Sequence, residues 1–130
     1  MNITATTISL TVEDVTASRD FLITHFGYKQ ANAADGFVSL TRPDTTPNAA
    51  AADIVLLRRG IEVLPEDQRD QQVAGLILAF TVTGIAAEHE RLRAGGANIT
   101  MPLREEPWGE RLFQVTDPNG IVLQLVEWAS

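Results

Sequence analysis

The chain has 130 residues, of which 45% are hydrophobic and 21% charged, a composition typical of a single folded domain with a buried core. It contains no cysteine, which excludes disulfides, thiolate nucleophiles and cysteine-ligated metals. Seventeen acidic residues against ten basic ones give a net charge of −7, which disfavours nucleic acids and anionic membranes as partners. The N-terminus has no basic segment and no apolar run approaches the roughly 18 residues of a membrane span, so we expect a cytoplasmic protein.

The first half of the chain predicts one strand, one helix and three further strands. The first strand alternates, so its apolar side chains should face a helix and its hydroxyl side chains the opposite way. The apolar set is Ile8, Leu10 and Val12, and the hydroxyl set is Thr7, Ser9 and Thr11. Asp14 is the expected N-cap of the helix, and Gly27 is expected to end it. The three following strands are predicted at 28–32, 37–41 and 53–58.

The second half repeats this βαβββ pattern. Residues 78–82, Leu-Ala-Phe-Thr-Val, align with residues 8–12, Ile-Ser-Leu-Thr-Val, at an offset of 70 positions. A helix is predicted over 85–94, where Gly95 and Gly96 end it. The remaining strands are predicted at 98–101, 111–116 and 121–126.

The C-terminal hairpin, residues 107–127, carries the clearest functional motif. It begins Pro-Trp-Gly-Glu-Arg-Leu-Phe and turns at Asp-Pro-Asn-Gly. This hairpin resembles the last hairpin of the vicinal-oxygen-chelate superfamily, which includes glyoxalase I, extradiol dioxygenases and bleomycin-resistance proteins, and it is most similar to the bleomycin-resistance-like antibiotic-binding proteins. The resemblance implies an α+β fold in which two tandem βαβββ modules, about 1–58 and 74–130, form an open, curled mixed β-sheet. Residues 59–73 are then a solvated linker within one domain.

Metal-dependent members of this superfamily take their ligands from the first and last strands of each module. The corresponding positions here are Thr7, Leu57, Ile77 and Gln124. Thr7 replaces the family's first-strand histidine, and Gln124 replaces a glutamate four residues after the turn glycine. Divalent metals prefer imidazole, thiolate or anionic oxygen, so we expect neither a metal nor another cofactor. Gln124 is equally compatible with a buried amide that is bonded to the opposite strand.

The same resemblance implies a ligand cavity with a floor of small side chains. Aromatic anchors are expected from Phe37, Trp108 and Phe113, and further contacts from Leu57 and Gln124. The expected floor consists of the inward-facing side chains of the first strand of each module, Thr7, Ser9, Thr11, Ile77, Ala79 and Thr81. Each aromatic residue is also compatible with a purely structural position in the core or at the barrel end. Glu105, Glu106 and Glu110 could face a cationic ligand at the rim, or form an ordinary solvated hairpin.

These features predict metal-independent binding and sequestration of a bulky, aromatic natural product by a homodimer, without catalytic residues. Such a protein would confer antibiotic self-resistance or carry a biosynthetic product, and a bleomycin-type glycopeptide and a flat-chromophore peptide both fit the cavity. The alternative is an enzyme of the same superfamily, a lyase, isomerase or dioxygenase, with an atypical or absent metal site.

Overall fold

The computed structural model describes residues 1–43 and 51–129. The chain divides into two compact units, Met1–Val73 and Ala74–Ser130, and each contains a strand, a helix and three strands in that order. The predicted α+β fold of two tandem βαβββ modules is therefore confirmed. In the described ranges no helix is long and apolar enough to cross a membrane.

The first unit forms one four-stranded sheet with a single long helix. Its elements are β1 (Thr7–Val12), α1 (Val15–Phe26), β2 (Lys29–Ala34), β3 (Phe37–Thr41) and β4 (Asp53–Arg58). The strand order is β1-β4-β3-β2, with β1 and β4 parallel and the other neighbours antiparallel. The second unit has the same plan. Its elements are β5 (Ile77–Thr81), α2 (Ile85–Ala94), β6 (Ile99–Glu105), β7 (Glu110–Thr116) and β8 (Val122–Trp128), with the order β5-β8-β7-β6 and a parallel β5–β8 pair.

Each sheet buries one face against its own helix, as the alternation of apolar residues predicts. In the first unit Leu10, Val12, Ile54, Leu56, Phe21 and Leu22 are buried. In the second unit Leu78, Leu123, Leu125, Val115, Ile85 and Leu92 are buried. Each such aliphatic or aromatic side chain contributes roughly 1.5–3 kcal/mol when it leaves water, so these two layers stabilise the packing of each helix on its sheet.

The two helices begin in different ways. The side chain of Asp14 accepts a hydrogen bond from the Ala17 N–H at 3.1 Å, and Gly27 ends α1 at a φ of 70°, so both predicted caps of α1 are confirmed. The N-cap of α2 is Gly84, which has no side chain to offer. Instead Glu127, at the end of β8, accepts hydrogen bonds from the Gly84 N–H at 2.7 Å and the Ile85 N–H at 3.2 Å. A carboxylate from another strand therefore caps this helix.

The segment 59–73 is exposed in large part, but its backbone is tied to the first sheet. The Arg59 N–H donates to the Val12 carbonyl and the Val73 N–H donates to the Thr11 carbonyl, both at 2.9 Å. Between them the Arg59 side chain bonds to Asp70, and Glu66–Gln68 form a short 3-10 turn. The segment predicted as a linker therefore belongs to the first unit, and both of its ends are hydrogen-bonded to the edge strand β1.

Glu127 gives a pH-dependent test of how α2 is held. Its hydrogen bonds from Gly84 and Ile85, with Arg111 at 3.8 Å, lower the pKa of this carboxyl below its ordinary value of 4.5. A lowered folded-state pKa contributes stability at pH values above the unfolded-state pKa, and this contribution is lost as the pH falls through the folded-state pKa. We expect Glu127→Gln to lower the Tm at about pH 7, and the difference from wild type to shrink at about pH 3.

Thermal unfolding followed by circular dichroism measures this difference. Glu62→Gln is the matched control, since it removes the same charge from an exposed side chain of the loop after β4. An equal Tm loss in the two variants, or a Glu127→Gln deficit that persists unchanged at low pH, would contradict the capping role.

Candidate functional site

Each sheet has one face covered by its helix and an opposite face, the open face. Most of the predicted site residues lie on the open faces of the two sheets. In the first unit, Thr7 pairs with Asp53, Ser9 pairs with Val55, and Leu57 lies between Thr11 on β1 and Phe37 on β3. The four predicted residues of this unit, Thr7, Ser9, Phe37 and Leu57, therefore share one face.

The open face of the first unit is exposed at one end and largely buried at the other. Thr7 and Ser9 are exposed, so their hydroxyl groups are available to a ligand. Leu57 is buried and Phe37 is half-buried beside it. At the same end the Thr11 hydroxyl donates to the Gln71 carbonyl at 2.9 Å. The hydrogen of this hydroxyl is therefore used within the protein, by the loop 59–73.

The open face of the second unit contains Ile77, Ala79 and Gln124. Ala79 pairs with Gln124 across β5 and β8, and Gln124 pairs with Gln114 on β7. The Gln114 side-chain N–H donates to the Gln124 Oε1 at 2.8 Å. Gln124 is thus an amide bonded to the neighbouring strand, which is one of the two roles that the sequence allowed. Ile77 is 53% exposed.

The family's metal positions fall on these two faces, and the residues present do not fit a divalent cation. Thr7 and Leu57 lie in the first unit, Ile77 and Gln124 in the second, and the Gln124 oxygen already accepts the Gln114 amide. Across residues 1–43 and 51–129, no group of three or more His, Cys, Asp or Glu side chains could hold a metal. The two histidine rings each pack on a phenylalanine instead, His25 on Phe21 and His89 on Phe113, both at 4.9 Å between centroids.

Phe113 corrects one of the sequence predictions, because it does not lie on an open face. It pairs with Leu125, one position away from the Gln114–Gln124 pair, and successive strand residues point to opposite sides of a sheet. Its side chain is 0% exposed and its ring meets the His89 ring of α2 edge-on, with 89° between the ring planes. Phe113 is therefore a core residue between the sheet and α2, and it is not an aromatic anchor for a ligand.

Trp108 does lie at the surface, 65% exposed, in the turn between β6 and β7. Its indole N–H donates to the Glu110 Oε1 at 3.3 Å. Trp128, which the sequence reasoning missed, pairs with Glu110 at the end of β8 and is 55% exposed. Its spacing of four residues from Gln124 along a strand, which places both side chains on one face, is the sequence signal that could have found it.

The β7–β8 turn sets the register that brings these residues together. Asp117 is buried, and its Oδ1 accepts hydrogen bonds from the Asn119 N–H at 2.9 Å and the Ile121 N–H at 2.8 Å. The Gly120 N–H donates to the Asp117 carbonyl at 3.0 Å, which closes the Asp-Pro-Asn-Gly turn. Since the turn fixes which residues face each other, it determines that Gln114 meets Gln124 and that Glu110 meets Trp128.

Comparison with solved structures finds the same fold in several bacterial proteins. A glyoxalase/bleomycin resistance protein/dioxygenase from Nocardioides is 22% identical with a TM-score of 0.75, covering 100% of this chain and 86% of its own. TioX from Micromonospora sp. ML1 is 20% identical with a TM-score of 0.69, covering 96% of this chain and 98% of its own. A member of the glyoxalase/bleomycin resistance protein/dioxygenase superfamily from Sphaerobacter thermophilus DSM 20745 is 21% identical with a TM-score of 0.72, covering 97% of this chain and 98% of its own. At such identities these likenesses concern the fold alone.

The sequence itself gives the family. No protein of curated function matches the chain significantly. Residues 4–125, nearly the whole chain, match the family model described as the Glyoxalase/Bleomycin resistance protein/Dioxygenase superfamily. With two βαβββ units and this match, the chain belongs to the glyoxalase/bleomycin resistance protein/dioxygenase superfamily.

Proposed function

We propose that this protein binds a bulky, aromatic natural product without a metal and sequesters it, as the bleomycin-resistance-like members of the superfamily do. The observation that carries the proposal is the open face of the second unit. There Gln124, which is bonded to Gln114, stands where the superfamily's enzymes place a metal-binding glutamate, and large apolar side chains are exposed at both ends of the same face.

The exposed apolar side chains of this unit support a binding role. Ile77, Trp108 and Trp128 are all more than half exposed, which costs free energy in water unless a partner or ligand covers them. Ala79, two residues from Ile77 on β5, is small and exposed, so it leaves space above that end of the sheet. A flat, bulky ligand can cover such a surface and stack on an indole, whereas a compact polar substrate would leave it wet.

The amide pair supports a ligand with peptide-like or heteroaromatic polar groups. The bond between Gln114 and Gln124 uses one N–H and one oxygen, so the pair retains N–H groups on Gln124 and an oxygen on Gln114. Both side chains are half-buried, which strengthens a hydrogen bond to a ligand that excludes water. This donor and acceptor pattern matches one amide group of a peptide antibiotic.

The first test concerns the metal. We expect purified protein, dialysed against zinc, nickel, manganese and iron, to hold no stoichiometric divalent metal, because the four family positions offer no imidazole or carboxylate. Inductively coupled plasma analysis measures this directly. One equivalent of metal that Gln124→Ala removes, with Gln114→Ala as the control on the same amide pair, would refute metal independence and favour the enzyme alternative.

The second test concerns Trp108. Isothermal titration with bleomycin-type glycopeptides and flat-chromophore peptide antibiotics should identify a ligand, and Trp108→Ala should then weaken its binding. Burial and stacking of an indole contribute about 1–3 kcal/mol, which corresponds to roughly tenfold to a hundredfold in Kd. Ile23→Ala is the matched control, since it removes an exposed apolar side chain from α1. If no compound binds, the proposed function fails; if Trp108→Ala binds as wild type does, the stacking role fails.

The third test concerns assembly. We propose a homodimer with two equivalent binding sites, because exposed apolar surface on one unit can be shared between two chains as well as with a ligand. Light scattering should report about twice the chain mass of 14.2 kDa, and titration should give two ligands per dimer. A monomer at micromolar concentration that still binds the ligand tightly would remove the dimer from the proposal and leave ligand binding in place.

A further inference from the structure

One carboxylate, that of Glu110, neighbours both tryptophans of the chain. Glu110 is the first residue of β7 and pairs with Trp128, the last residue of β8, so both side chains point to the open face of the second unit. Residues paired in this way have Cβ atoms roughly 4.5–5.5 Å apart. The Trp108 indole approaches the same carboxylate from the turn, with 3.3 Å between Nε1 and Oε1. The Glu110 carboxylate is thus bonded to one exposed indole and lies on the same face of the sheet as the other.

Backbone hydrogen bonds hold this arrangement in place. The Glu106 N–H donates to the Glu110 carbonyl at 2.7 Å, and the Gly109 N–H donates to the Glu106 carbonyl at 3.0 Å. The Ala129 N–H donates to the Gly109 carbonyl at 2.9 Å, which fixes the chain directly after Trp128. Gly109 has a φ of 93°, a left-handed backbone conformation that favours glycine. Both indoles therefore extend from a backbone that is already ordered before a ligand binds.

The charge of Glu110 has no cationic partner in the part of the chain that the structure describes. The two nearest arginines in sequence are paired elsewhere, Arg104 with Glu106 at 2.7 Å and Arg111 with Glu127 at 3.8 Å. Glu110 is half-buried, and its one side-chain hydrogen bond leaves most of the roughly four acceptor positions of a carboxylate unused. A half-buried anion that neighbours two exposed aromatic residues is suited to attract a cation that can also contact the rings.

We propose that Trp108, Glu110 and Trp128 form a recognition site for an organic cation, a protonated or quaternary amine next to a planar ring. The carboxylate supplies the counter-charge, and the indole faces supply cation–π and stacking contacts that a hydrated metal ion or a neutral ring would use less well. The inference rests on the proposed function in one respect, that the natural ligand is an aromatic natural product. It adds that this ligand carries a positive charge near its aromatic group.

Two small probes of nearly the same shape test the charge preference. N-methylacridinium is permanently cationic, whereas acridine is neutral at about pH 8. At this pH the carboxyl groups of the protein are ionised, since their ordinary pKa values lie at about 4. Because the chain has two tryptophans, ¹⁵N-labelled protein gives two indole N–H signals, which Trp108→Phe and Trp128→Phe assign. We expect N-methylacridinium to shift both signals with one saturating curve and to bind at least about tenfold more tightly than acridine.

Glu110→Gln, which keeps the shape of the side chain, should remove most of this preference for the cation. Glu105→Gln is the matched control, because Glu105 is an exposed acid nearby that pairs with Arg111 and so points to the helix-covered face. Equal binding of the two probes, a shift of only one indole signal, or equal losses in Glu110→Gln and Glu105→Gln would overturn the site.

The same variants separate this inference from the proposed function. If N-methylacridinium binds as expected but no antibiotic of the panel does, the cation site stands and natural-product sequestration fails. If an antibiotic binds wild type and Glu110→Gln with the same Kd, sequestration stands and the cation site fails.

Discussion

The parallel pairing of the first and last strands of each unit is the constraint on which the rest of the structure depends. The helix of each unit joins the first strand to the strand at the opposite edge of the sheet, so it crosses one face, and a hairpin then brings the last strand back beside the first. That helix covers one face, and the last strand, β4 or β8, lies in the interior of the sheet between β1 or β5 and the hairpin strand. The face opposite the helix is left for other contacts, and every residue of the proposed site lies on it or at its end.

Strand periodicity and local capping rules made most of the fold predictable. The alternation in 8–12 and 78–82 identified which side chains face a helix, and the repeat itself indicated two units of the same topology. Asp14 and Gly27 act within one turn of α1, so their roles can be inferred from neighbouring residues alone. The cap of α2 could not be inferred in this way, because Glu127 lies 43 positions beyond Gly84 and reaches it only through the folded sheet.

The site was less predictable because it depends on register between strands. Positions aligned with the family, such as Ile77 and Gln124, could be placed on one face from the alternation of their own strands. Phe113 could not, since its facing depends on how β7 pairs with β8, and a difference of one residue moves a side chain to the opposite face. The same unknown register concealed Gln114 as the partner of Gln124 and Trp128 as the neighbour of Glu110.

Register also explains why two carboxylates at the same end of the hairpin have opposite tasks. Glu127 and Arg111 pair on the helix-covered face, where the Glu127 charge is used to cap α2. Glu110 precedes Arg111 and Trp128 follows Glu127, so this second pair lies on the open face. There the Glu110 carboxylate caps no helix. A slip of one residue would exchange these environments: it would take the cap from α2 and place an indole against the core. The buried Asp117 turn that fixes the register therefore serves stability and the surface chemistry together, so the fold and the proposed cation site cannot vary independently at this end of the sheet.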